Sequence, residues 1–109
     1  MRDRIVITGM GAVTPVGIGV DTYWENLTAG VCGIGEIEQI DTAALPIHRA
    51  AEVHGFHPKD FMPTRLALDL EPYQQYAYAA AEQALAQSGL QGSARVGVVM
   101  ATALHGLTI

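Results

Sequence analysis

The chain opens with a short apolar run rich in β-branched residues, Ile5-Val6-Ile7-Thr8, which stops at Gly9-Met10-Gly11. A run of this length and type bounded by glycine predicts a buried strand ending in a turn. The next segment, Thr14-Pro15-Val16-Gly17-Ile18-Gly19, predicts loop, because Pro and alternating Gly suit neither a helix nor a ladder. A helix is expected from about Asp21. Thr22 and Glu25 have capping-box spacing, and Asp21 is an equally good cap. Tyr23, Trp24 and Leu27 give that helix an apolar side, and Gly30 suits its C-terminal end. From Val31 to Leu68 the pattern is irregular, with Pro46, Pro58 and Pro63 among short apolar pairs. It predicts loops with small strands or turns, and a stretch of this length in a compact domain is usually functional or caps something larger.

The strongest helical signal runs from about Leu70 to Ser88. Tyr73, Tyr76, Ala77, Ala80, Ala84 and Leu85 share one side at 3.6 periodicity. Pro72 is tolerated in the first turn, and Gly89 suits the C-terminal cap. Alanines at 77, 79, 80, 81 and 84 allow a neighbouring element to approach closely. Arg95 to Ala101 then predicts a second buried strand, with Val96, Val98, Val99 and Met100 as its body. A strand apolar on both faces belongs in a sheet covered on both sides. The order of strand, helix, loops, helix and strand predicts an α/β layer structure. Two central-type strands do not make a covered sheet, since such sheets usually have about five or six strands. The expectation is therefore a fragment, or a chain whose sheet is completed by other polypeptide.

Composition narrows the class. The 109 residues are 50% hydrophobic and 16% charged, a balance that excludes a disordered chain. The net charge is -5, and the 6 Lys and Arg form no basic run, which argues against a nucleic-acid or anionic-membrane partner. The single cysteine excludes an internal disulfide framework and paired-cysteine zinc patterns. Met1-Arg2-Asp3-Arg4 followed by uncharged residues superficially resembles a signal peptide. However, Gly9, Gly11, Pro15, Gly17 and Gly19 interrupt the apolar run, and no stretch nears the roughly 18 residues that span a bilayer. The expected location is cytoplasmic.

No complete catalytic constellation stands in these residues. Gly9-Met10-Gly11 after a strand invites a dinucleotide reading, but the third small residue of that fingerprint is replaced by Thr14. A tight turn needing positive φ is the simpler explanation. Cys32 follows a helix C-terminus with no adjacent cation, the opposite of what activates a thiol, and is expected to be a small half-buried loop residue. His54 and His57 are three apart, but Gly55 and Pro58 deny that spacing a helix on which to chelate. With His48 they are expected to be solvated loop histidines near Asp60. His105 lies just past a strand's C-terminal end, where parallel-sheet enzymes place functional groups. Tyr73 and Tyr76 are expected in the core, with Tyr78 on a flank. Asp69 and Glu71 suit capping and the helix dipole.

Taken in order, the segments resemble one known family. Val6-Ile7-Thr8-Gly9-Met10-Gly11-Ala12-Val13-Thr14-Pro15-Val16-Gly17 resembles the opening of the β-ketoacyl-acyl-carrier-protein synthases. Tyr23-Trp24-Glu25-Asn26-Leu27, Ala29-Gly30, Gly33-Ile34-Gly35, Ala51-Glu52-Val53 with Phe56 and Pro58, Gln75-Tyr76-Ala77 and Val96-Gly97-Val98-Val99 continue it. The resemblance implies an α/β, thiolase-like fold of two related halves. Residues 1–109 would then be an incomplete N-terminal segment of the N-terminal domain.

It further implies a cytoplasmic, dimeric acyltransferase of fatty-acid or polyketide synthesis. Such an enzyme carries out decarboxylative Claisen condensation and works with an acyl carrier protein, without metal or cofactor. In that family the nucleophilic cysteine and two histidines lie downstream of the matched part, so no residue here inherits a catalytic role. Cys32 stands where the family often has Ser. Leu104 and His105 fall on the loop beside the acyl pocket and are the candidate substrate-binding residues.

Two segments depart from the pattern. Leu68-Asp69-Leu70-Glu71-Pro72-Tyr73 replaces a basic stretch, and Ala101-Thr102-Ala103-Leu104-His105-Gly106 replaces a Gly-rich loop. Such drift resembles the chain-length-factor relatives, which pair with a ketosynthase and lack the cysteine. The expected assembly is thus a homodimer or a ketosynthase heterodimer. A stand-alone binding module fits less well, because the sheet is incomplete.

Overall fold

The computed structural model describes residues 2–104. Its elements are β1 (Val13–Thr14), β2 (Gly17–Ile18), α1 (Val20–Thr28), β3 (Ile34–Glu36), β4 (Arg49–Ala51), a 3-10 turn (Pro58–Asp60), α2 (Thr64–Asp69) and α3 (Pro72–Ser88). They fall into two compact units. One is Ala12–His57, and the other is formed by the chain on either side of it.

The Ala12–His57 unit begins with a hairpin in the segment expected to be loop. Thr14 pairs with Gly17 and Val13 with Ile18 across the turn at Pro15-Val16. Proline is tolerated because it occupies the turn rather than the ladder. The Thr14 hydroxyl stabilises that turn, donating to the Gly17 carbonyl at 2.8 Å and accepting the Val16 N–H at 3.2 Å.

α1 starts at Val20, so Thr22 and Glu25 are inside the helix and do not form the expected capping box. Gly19 is the N-cap, with φ 93° and ψ 145°, a conformation open to glycine and strained for other residues. The Asn26 side chain donates to the Val16 carbonyl at 2.6 Å and ties α1 to the hairpin. The C-terminus is a Schellman turn. Val31 N–H reaches the Asn26 carbonyl and Gly30 N–H the Leu27 carbonyl, with Gly30 at φ 76°.

β3 and β4 form a second antiparallel pair with Ile34 opposite Ala51, Gly35 opposite Ala50 and Glu36 opposite Arg49. These are the small strands expected in the irregular region. The facing Glu36 and Arg49 side chains pair at 3.5 Å. Both are well exposed, so the contribution is at most about 1 kcal/mol.

α3 organises the other unit. It begins two residues later than Leu70, because a residue before proline disfavours the helical region. Glu71 is accordingly extended, at φ -74° and ψ 160°. It is the N-cap of a capping box, in which the Gln74 side chain accepts the Glu71 N–H at 2.9 Å and the Glu71 side chain accepts from the backbone of Gln74. Gly89 closes the helix in the left-handed region at φ 66°. Gln75 joins α3 to α2 by donating its side-chain amide to the Ala67 and Leu70 carbonyls at 2.9 and 3.2 Å. Helix C-termini leave such carbonyls unpaired.

Gly9 and Gly11 lie against α3, and neither has positive φ. The constraint on them is therefore distance rather than the turn expected from sequence. A Cβ at Gly11 would collide with the Ala80 carbonyl, and one at Gly9 with the Ala84 carbonyl. The match is geometric: two extended residues advance about 6.6 Å, close to the ~6 Å of four helical residues. Residues i and i+2 of the extended segment therefore meet i+4 and i of the helix. Between them the Met10 N–H donates to the Gln87 side chain at 2.8 Å.

The two expected strands are not paired. Among the described residues the only ladders are β1·β2 and β3·β4. Ile5, Val98 and Val99 are 98%, 81% and 94% exposed. Their apolar, β-branched composition suits a covered sheet, but it does not itself supply the neighbouring strands and covering layers. Among the described residues the buried ones are Met62 and Ala79. Ala79 is outside the face expected from periodicity, and Leu85, placed on that face, is 44% exposed.

Gly11→Ala is expected to push the 9–11 segment off α3, at a cost of about 1–3 kcal/mol. Amide hydrogen exchange should quicken across Ala80–Gln87, whereas Gly92→Ala, with open space around its Cβ, should leave it unchanged. Equal effects of the two changes would refute the close-approach explanation. The exposed apolar segments generate a second expectation: the isolated chain self-associates. A monodisperse monomer with a cooperative melt, seen by light scattering and calorimetry, would contradict it.

Candidate functional site

An open apolar groove of about 490 Å³ is formed between α3 and residues 98–102. Tyr73, Ala77 and Ala81 recur every four residues along its helical wall, with Tyr78 beside them. Val98, Met100 and Thr102 contribute from the other wall. The alanines leave room where larger side chains would fill the groove. Tyr73 and Tyr78 both line it, which places Tyr73 at a surface rather than in the expected core. Tyr76 is half-buried on another sector of the helix.

Leu104, two residues past the lining residue Thr102, does not line the groove and is 78% exposed. The Thr102 hydroxyl donates to its carbonyl at 3.3 Å. His105, the other candidate substrate-binding residue, lies outside the described residues.

Cys32 is exposed rather than half-buried, and its Sγ sits 3.9 Å from the Ile34 carbonyl oxygen. The loop histidines are engaged locally. His48 Nδ1 is 3.1 Å from the Thr42 hydroxyl, and His54 Nδ1 is 3.9 Å from a Glu38 carboxylate oxygen. His57 is exposed. Among the described residues no three His, Cys, Asp or Glu side chains gather as metal ligands.

Sequence reasoning did not assign a structural task to Glu52. Its carboxylate accepts the Glu38 N–H at 2.9 Å and the Gln39 N–H at 3.2 Å. A carboxylate just after β4 thereby holds the backbone leaving β3, using charge-assisted bonds. The available signal was the acid at the end of the Arg49-Ala50-Ala51 strand, but nothing in the sequence named its partners.

The family model for the β-ketoacyl synthase N-terminal domain matches residues 2–108. The chain belongs to that family. The ketosynthase resemblance read from the sequence is therefore correct, and the fold is thiolase-like. The chain is 37% identical over 108 residues to 3-oxoacyl-[acyl-carrier-protein] synthase 2 of Staphylococcus aureus strain COL, covering 95% of this chain and 26% of the relative. It is 38% identical over 112 residues to the enzyme of the same name from Vibrio cholerae serotype O1, covering 99% and 27%. A solved structure, the ishigamide ketosynthase/chain length factor, superposes with a TM-score of 0.69 at 35% identity, over 79% of this chain and 21% of that one. This ketosynthase-family chain thus spans about a quarter of the length of its curated relatives.

Glu52→Ala is expected to release the backbone at Glu38 and Gln39, with a loss of about 1–3 kcal/mol locally. Faster amide exchange at those two positions should report it. Unaltered exchange there would show that the carboxylate is not what holds the segment.

Proposed function

We propose that this chain is the N-terminal part of a β-ketoacyl-acyl-carrier-protein synthase of fatty-acid or polyketide synthesis. The carrying observation is the near-complete match of its length to 3-oxoacyl-[acyl-carrier-protein] synthases at 37–38% identity. In the proposed reaction a cysteine thiolate attacks an acyl thioester and releases the carrier thiol. Malonyl thioester then loses CO2, and the resulting carbanion attacks the enzyme-bound acyl carbonyl. The new carbon–carbon bond forms as the carbon–sulfur bond to the cysteine breaks. Two histidines outside this segment assist decarboxylation and stabilise the oxyanion. This segment contributes scaffold and the candidate substrate-binding residues Leu104 and His105, while Cys32 takes no part.

The proposed partners are an acyl carrier protein and a second ketosynthase-family subunit, with no metal, cofactor, nucleic acid or membrane. A cytoplasmic location fits this role. Among the described residues no helix is long and apolar enough to cross a membrane.

A second reading makes the parent a non-catalytic, chain-length-factor-like partner of a ketosynthase. It is favoured by the departures at Leu68–Tyr73 and Ala101–Gly106, and by the likeness to the ishigamide ketosynthase/chain length factor. Assaying the full-length protein with acyl- and malonyl-carrier protein separates the two. The first reading expects 3-oxoacyl product from the protein alone. Product formed only after adding a separate ketosynthase would favour the second.

Two outcomes follow for this chain. Incubated alone with an acyl thioester, it is expected to gain no mass, and stoichiometric acylation dependent on Cys32 would overturn its non-catalytic assignment. In the full-length protein, Leu104→Phe is expected to shorten the acyl chains accepted, because added volume in an apolar pocket costs about 1–3 kcal/mol. An unchanged product distribution with a lowered melting temperature would instead mark Leu104 as ordinary packing.

A further inference from the structure

We draw no further inference here: the strongest candidate, the open apolar groove between α3 and residues 98–102, is an unpartnered face in a chain that spans about a quarter of its relatives' length, and nothing in the structure shows what covers it.

Discussion

The close approach of the backbone at Gly9 and Gly11 to α3 sets the arrangement of its unit. Carbonyls of Ala80 and Ala84 occupy the space that side chains at 9 and 11 would need. Helix residues four apart and extended residues two apart share a nearly common spacing, so both glycines meet the same helical strip. The Met10 to Gln87 bond then fixes the register. Ala77 and Ala81 extend the small-residue surface around the helix, where it becomes the wall of the groove. One alanine-rich helix therefore provides both a packing surface and a recess.

The Ala12–His57 unit depends on a different device. It has no buried large side chain among its described residues, and its backbone is held by side chains reaching across it. Asn26 holds the hairpin turn, Thr14 closes that turn, and Glu52 secures the residues after β3. Each such bond contributes only about 1 kcal/mol net, more where a charge takes part. Positive-φ glycines at 19 and 30 complement these bonds by letting the chain enter and leave α1 sharply.

What could be read from the sequence follows from the range of the forces involved. The two longer helices, the left-handed cap at Gly89 and the small strands of the irregular region depend on neighbours a few residues away, and they were legible. The break at Leu70-Glu71 was not, because a continuous apolar period masked the restriction that Pro72 imposes on its predecessor. The role of Gly9 and Gly11 was hidden for the opposite reason: their partners are more than 65 residues away, and a lone Gly-x-Gly cannot distinguish a φ requirement from a distance requirement. Segments 5–8 and 95–101 show the limit of pattern. Hydrophobicity records the environment a segment suits, whereas pairing requires other backbone within reach. The groove lining mixed both ranges. Helical periodicity gathered Tyr73, Ala77 and Ala81, but only the structure brought Val98 and Met100 opposite them.

The acidic segment before α3 bears on the choice between the two functional readings. Glu71 caps the helix together with Gln74, and Pro72 occupies a first-turn position. Asp69 closes α2 just ahead of it. Local helix architecture thus accounts for Pro72 where the resemblance leads one to expect a basic residue, and this part of the departure carries less weight for a non-catalytic role than its change of charge suggests. A scaffold built from α3, its glycine contacts and its caps would serve a condensing enzyme and a partner subunit equally. The difference between them is chemical and lies at one position: a thiolate can hold the acyl group as a thioester and later leave, and a side chain without that sulfur can do neither.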